Sequence, residues 1–243
     1  MSFSRTFPEL LTGDALDAAI RGIGLRLGAT NAGANVHADI ELTLVSAVEA
    51  SLPTGYRTLG VVTAWLEVHH AHVNVPRLLR LVDGGELPPV ARAYWAAIGA
   101  WLGQRDKRWQ TLARVYSGPR VTLEDPEITA MQIDRLGEDP RFTGTPLRVH
   151  AKLLRSRGAD VDTPTQLATR HPGYLRRVQF GANHRADVWT ALEVDPEATP
   201  AEVARRVGCA YETARSVAQD FHMVSDVARA RFPATPLAGI PRK

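Results

Sequence analysis

Apolar side chains recur at helical spacing through most of the chain, and strand-like alternation is scarce. From Asp14 to Leu27, the residues Leu16, Ile20, Ile23 and Leu27 fall on one face. Val36 to Ala50 repeats the pattern with Ile40, Leu44, Ala47 and Val48, after a small-residue connection at Gly28–Ala34. Tyr56 to Val73 carries Leu59, Val62, Trp65, Leu66 and His69 in one longer helical candidate. Pro76 opens a shorter one through Leu78, Leu79 and Val82, and Asp83-Gly84-Gly85 stops it. Pro89 to Leu102 then spaces Tyr94, Ile98, Trp101 and Leu102. The pattern predicts a mainly α protein whose residues 1–115 form an amino-terminal helical bundle. Trp65, Tyr94, Trp95, Trp101 and Trp109 read as packing residues of that bundle. A bundle in this position would sense, dimerise or hold a protein partner.

The pattern breaks at residues 116–145, where Pro, Gly and acidic residues concentrate. This stretch reads as a connector with one short helix at Ile128–Leu136. Pro146 to Arg157 then predicts a basic helix, with Arg148, Lys152 and Arg155 on one side at i, i+4 and i+7. Such a stripe is either a solvated face or a set of phosphate contacts. Arg170, Arg176 and Arg177 extend the positive character, and Arg176 and Arg177 join the candidates for phosphate.

Pro200 to Gln219 reads as a helix, a three-residue turn and a second helix. Val203, Ala204 and Val207 form the apolar face of the first. Thr199 is its cap, Pro200 its first residue and Glu202 the partner of the cap. Gly208 sits where the chain must leave that helix, and a left-handed backbone costs glycine little. Ala214, Val217 and Phe221 return to the same core. Tyr211, Glu212, Arg215, Ser216 and Gln219 remain outward, a polar face suited to the major groove. Arg205 and Arg206 of the preceding helix would flank the DNA backbone. Upstream, Arg185–Leu192 offers Val188, Trp189 and Leu192 as a third helix. Phe221–Phe232 lacks a Gly-containing hairpin, so the trihelical helix-turn-helix domain, assigned to residues 146–243, has little or no wing.

Charge supports this placement. Residues 1–144 carry 14 Lys/Arg and 16 Asp/Glu, and residues 145–243 carry 15 against 10. The positive excess thus falls in the carboxyl-terminal part, where phosphate attraction would use it. Cys209 is the only cysteine, which excludes an intramolecular disulfide and a thiolate metal cluster. The histidines in EVHHAHV, His69, His70 and His72, read as surface or half-buried residues at a helix end rather than as ligands. No metal, cofactor or catalytic residue is assigned: H-E-x-x-H, Walker, dinucleotide and G-x-S-x-G patterns are all missing. Gly22-x-Gly24 lies in a helical pattern, not after a strand, and so is no phosphate cradle. Residues 1–14 show no apolar leader core, and no segment is apolar for the ~20 residues a membrane span needs. A cytoplasmic protein is expected.

The segment Gly181-Ala182-Asn183-His184-Arg185-Ala186-Asp187, with the helices after it, resembles the DNA-binding portion of AbiEi-like antitoxins, regulators from abortive-infection systems. The resemblance covers some 50 to 60 residues at the carboxyl end. Those antitoxins usually carry the domain near the amino terminus; here it follows a helical half. The resemblance implies autoregulation and neutralisation of a toxin. Two readings follow. One is a sequence-specific regulator that binds double-stranded DNA as a homodimer. The other is an adaptor or antitoxin that masks a protein partner and uses the helix-turn-helix as scaffold.

Overall fold

The computed structural model describes residues 8–27, 33–52 and 55–231, the side chains of 228–230 excepted. Most of the predicted Gly28–Ala34 connection, and the start of the segment read for a leader, lie outside these residues. The chain is mainly helical and divides into two compact units, residues 1–182 and 183–243. The sequence places the last domain boundary at 145/146 instead. The difference has a physical cause: Val161, Leu167 and Tyr174 belong to the core that the amino-terminal helices build, and His171 and Arg177 are buried with them.

Helix α1 (Gly13–Gly22) buries Leu16, Ala19 and Ile20, then ends at a turn, short of the predicted Leu27. Helices α2 (Ile40–Ser51) and α3 (Tyr56–His69) are buried on nearly every side, as centrally placed helices must be. Asp39 caps α2 by accepting from Leu42 N at 3.0 Å. Asn74 caps α4 (Val75–Gly84), and Pro89 stands at the first position of α5 (Pro89–Leu102). A 3-10 helix over Lys107–Arg114 packs Trp109 and Leu112 into the same core. Trp65, Trp95, Trp109 and Tyr94 are fully buried, and Trp101 nearly so, which agrees with their reading as packing residues. The Trp65 Nε1–H donates to the Ile23 carbonyl at 2.7 Å, so this ring also ties the end of α1 to α3.

After α5, the short strand β1 (Val121–Thr122) pairs in parallel with β2 (Leu147–Arg148), in the register Val121↔Leu147 and Thr122↔Arg148. Between them lies α6 (Pro126–Leu136), capped by Asp125. Strand β2 corrects the predicted basic helix over Pro146–Arg157. Leu147 and Val149 are buried while Arg148 between them is half-exposed, a period of two that tertiary burial enforces. Turns and a 3-10 segment (Gly158–Asp160) follow in place of a helix. Helices α7 (Pro164–Arg170) and α8 (Pro172–Phe180) complete the unit.

The second unit contains α9 (His184–Val194), α10 (Pro200–Val207) and α11 (Tyr211–Arg231). Ala186, Val188, Trp189, Leu192, Val203, Ala204, Val207, Ala214, Val217, Ala218 and Phe221 are among its buried side chains. Trp189 meets Phe221 edge to face, with ring centroids 5.3 Å apart. Helix α10 opens on a full capping box: Glu202 N donates to the Thr199 hydroxyl at 3.3 Å, and Thr199 N to the Glu202 carboxylate at 2.8 Å. It closes at Gly208, with φ 71° and ψ 38°, whose N–H and that of Cys209 both donate to the Ala204 carbonyl. Helix α11 runs unbroken past Phe221, and among the described residues this unit has no strand.

Candidate nucleic-acid interface

Over Tyr211–Phe221 of α11, the core-facing and exposed positions fall on separate faces. Ala214, Val217, Ala218 and Phe221 face the core, while Tyr211, Glu212, Arg215, Ser216 and Gln219 are exposed. The turn explains the separation: Gly208 reverses the chain tightly enough for α11 to lay Ala214 and Val217 on the face that α10 supplies with Val203, Ala204 and Val207. Small side chains at Ala204 and Ala214 permit a close helix crossing. Arg205 and Arg206 are also exposed, on the last turn of α10.

Two of these three arginines are engaged within the unit. Arg215 Nε donates to the Glu212 carboxylate at 3.0 Å, and Arg206 reaches Asp195 at 3.4 Å. Arg185 likewise pairs with Asp220 at 2.8 Å. Exposed pairs of this kind contribute about 0–1 kcal/mol, so an incoming phosphate or base edge competes with them readily. The Thr199 hydroxyl and backbone hold the Glu202 carboxyl below its ordinary range, so the capping charge beside Arg205 and Arg206 persists into mild acid.

The candidate phosphate contacts are scattered. Arg148 lies in β2, Lys152 and Arg155 are exposed in the turns after it, and Arg176 is half-buried on α8 with Gln179 as partner at 2.5 Å. They do not share a helical stripe. Arg177 is a correction: it is 4% exposed, and its two terminal nitrogens donate to both oxygens of the buried Glu41 carboxylate at 2.6 and 2.7 Å. Asn74 N donates to the same carboxylate at 2.8 Å. Arg177 therefore answers a charge inside the core.

The basic surplus falls differently once the boundary lies at 182/183. Residues 145–182 hold 7 Lys/Arg and 2 Asp/Glu, whereas residues 183–243 hold 8 of each. The basic excess thus belongs to the first unit, and the three-helix unit is balanced. Sequence reasoning ran the two together because nothing in local composition marks the join.

Of the three histidines in EVHHAHV, only His69 departs from expectation. His69 is fully buried: its Nε2–H donates to the Asp162 carbonyl at 2.9 Å, and its Nδ1 accepts from the Tyr174 hydroxyl at 2.7 Å. Burial lowers its pKa to about 4. His171, not singled out in the sequence, caps α8 by accepting from Tyr174 N through Nδ1 and donates through Nε2 to the Ala38 carbonyl. Burial lowers it to about 4 as well. His70 and His72 are half-buried. Among the described residues no three His, Cys, Asp or Glu side chains converge as a metal site, and no helix is long and apolar enough to cross a membrane. Cys209 is partly buried in the turn.

Known proteins offer no guide to the site. No family model matches the chain, and neither a curated protein nor a solved structure does.

Proposed function

We propose that α10 and α11 form a helix-turn-helix that binds double-stranded DNA in a sequence-specific manner, as part of a cytoplasmic transcriptional regulator. The observation that carries this reading is the exposed polar face of α11, held outward by a buried apolar one on the same helix. In the major groove, Arg215 and Gln219 offer bidentate contacts to guanine and adenine, and Glu212 accepts from cytosine. Tyr211 and Ser216 are placed for phosphates, with Arg205 and Arg206 beside the backbone. One such helix reads only a few base pairs, so a homodimer on two half-sites supplies the specificity a regulator needs.

The test is selection of a duplex from a random pool, followed by anisotropy titration at fixed salt. Arg215→Ala is expected to weaken the selected duplex by about 1–3 kcal/mol. Unchanged affinity would overturn the assignment of α11. The balanced charge of this unit also predicts a shallow salt dependence. With Arg205 and Arg206 as its cationic phosphate contacts, log affinity falls with log salt at a slope of roughly −2 per copy.

A second reading, a module that masks a protein partner such as a toxin, draws on a different feature. Beyond Phe221, α11 exposes Met223, Val224 and Val227, at 64%, 52% and 49%. Apolar side chains grouped on one helix suit a partner helix better than a duplex. A chain that shows no duplex preference, and co-purifies with a stoichiometric protein through Met223 and Val227, would favour this reading.

A further inference from the structure

The first unit has a concavity with three guanidinium groups in its wall. Arg21 from the end of α1, Arg26 from the segment after it and Arg170 from the end of α7 line it, together with Asp162, Leu27 and Gln166. Its volume of about 700 Å³ is that of a small-molecule site.

The frame is stiff. Leu25 bridges Val161 in antiparallel fashion, Arg26 N donates to the Asp160 carbonyl at 2.8 Å, and Asp162 N donates to the Gly24 carbonyl at 2.9 Å. Gly24 has φ +89°, which favours glycine, and a Cβ there would lie 3.0 Å from the Asp162 Cβ, a tight approach. The Asp162 carboxylate is divided between two cations. Its Oδ1 accepts from Arg26 Nε at 2.9 Å and its Oδ2 from Arg170 Nε at 2.8 Å. Arg170 also donates to the Arg21 carbonyl at 2.8 Å. The carboxylate is only 9% exposed, against 56% for the Arg26 side chain and 33% for that of Arg170. A buried acid thus aims two half-exposed guanidinium groups from behind and engages one edge of each.

Arg26 and Arg170 share the single Asp162 carboxylate, so guanidinium groups outnumber acids among the described lining residues. Each guanidinium has five N–H donors in a planar fork that matches phosphate oxygens. We propose that this concavity binds a small polyphosphate-bearing molecule, whose anionic groups sit between Arg21, Arg26 and Arg170 and whose organic part lies toward Leu27. The site belongs to the first unit and stands whether or not α11 binds DNA.

Calorimetric titration of the full chain at fixed ionic strength tests it, with ATP, inorganic pyrophosphate and uncharged adenosine as probes. Saturable one-to-one binding of ATP or pyrophosphate is expected, with none of adenosine. Tighter binding of ATP than of pyrophosphate would show that the organic part contributes. Gln166→Glu adds a negative charge at the rim and keeps the capping box with Thr163, so the fold survives and affinity falls about fivefold. Arg26→Gln weakens binding further, while Arg205→Ala leaves it unchanged. The proposal is overturned if neither anion saturates, if adenosine binds as well as ATP, or if folded Gln166→Glu binds both anions like the parent. Loss of binding in Arg205→Ala would also overturn it, by moving the anion to the other unit.

Discussion

Glu41 is a carboxylate with no exposed surface, and everything that makes it tolerable is nearby. Arg177 clasps both oxygens, Asn74 N donates to one, and Arg77 Nε stands 3.7 Å from the other. Removing one partner of such a pair strands the other charge. Arg177→Met is therefore expected to destabilise the first unit by about 3–5 kcal/mol, read from the urea midpoint. Replacing both, as Glu41→Leu with Arg177→Met, costs less than either single change. His69 and His171 make the second prediction at this scale. Each has a folded pKa of about 4 against an ordinary 6.5, so the unfolded chain takes up protons that the fold refuses. Stability is complete above pH 6.5 and drains as pH falls toward 4. Between pH 7.5 and 5.5 the two together remove about 3 kcal/mol. His171→Asn keeps a capping side chain and is expected to halve that loss; an unaltered pH profile would show that His171 does not titrate with unfolding.

Among elements, α10 was the most legible, because its signals are local. Thr199, Pro200, Glu202 and Gly208 each act within one helical turn of the chain end they control, and all four take the roles that their order implies. Thr199→Ala is expected to cost about 1 kcal/mol, seen as faster amide exchange in the first turn of α10. The outward residues of α11 were legible for the same reason, since Ala214, Val217 and Phe221 define the opposite face. The segment after Pro146 was not. Its arginine and lysine spacing suits a helix, but Leu147 and Val149 are claimed by a core that only the folded chain assembles, and Val121 supplies the neighbouring strand. Arg177 was misread on similar grounds. An arginine flanked by Arg176 and Val178 looks like surface until Glu41 is brought to it.

At the scale of the whole molecule, the two units invite separate questions. One has a balanced charge and an outward polar helix; the other has the basic surplus and a concavity of arginines. The sequence showed the first because its signature is contiguous. It hid the second because Arg21, Arg26 and Arg170 meet only through a long-range bridge between Leu25 and Val161. The partnership of Glu41 and Arg177 also orders events during synthesis. These residues stand 136 positions apart, so a chain emerging from its amino end has the acid and Arg77 long before the bidentate partner exists. The leading helices can gather, yet they cannot seal until Pro172–Phe180 arrives. A nascent chain halted at residue 170 is thus left with an open, charged seam, ready for a chaperone or a protease.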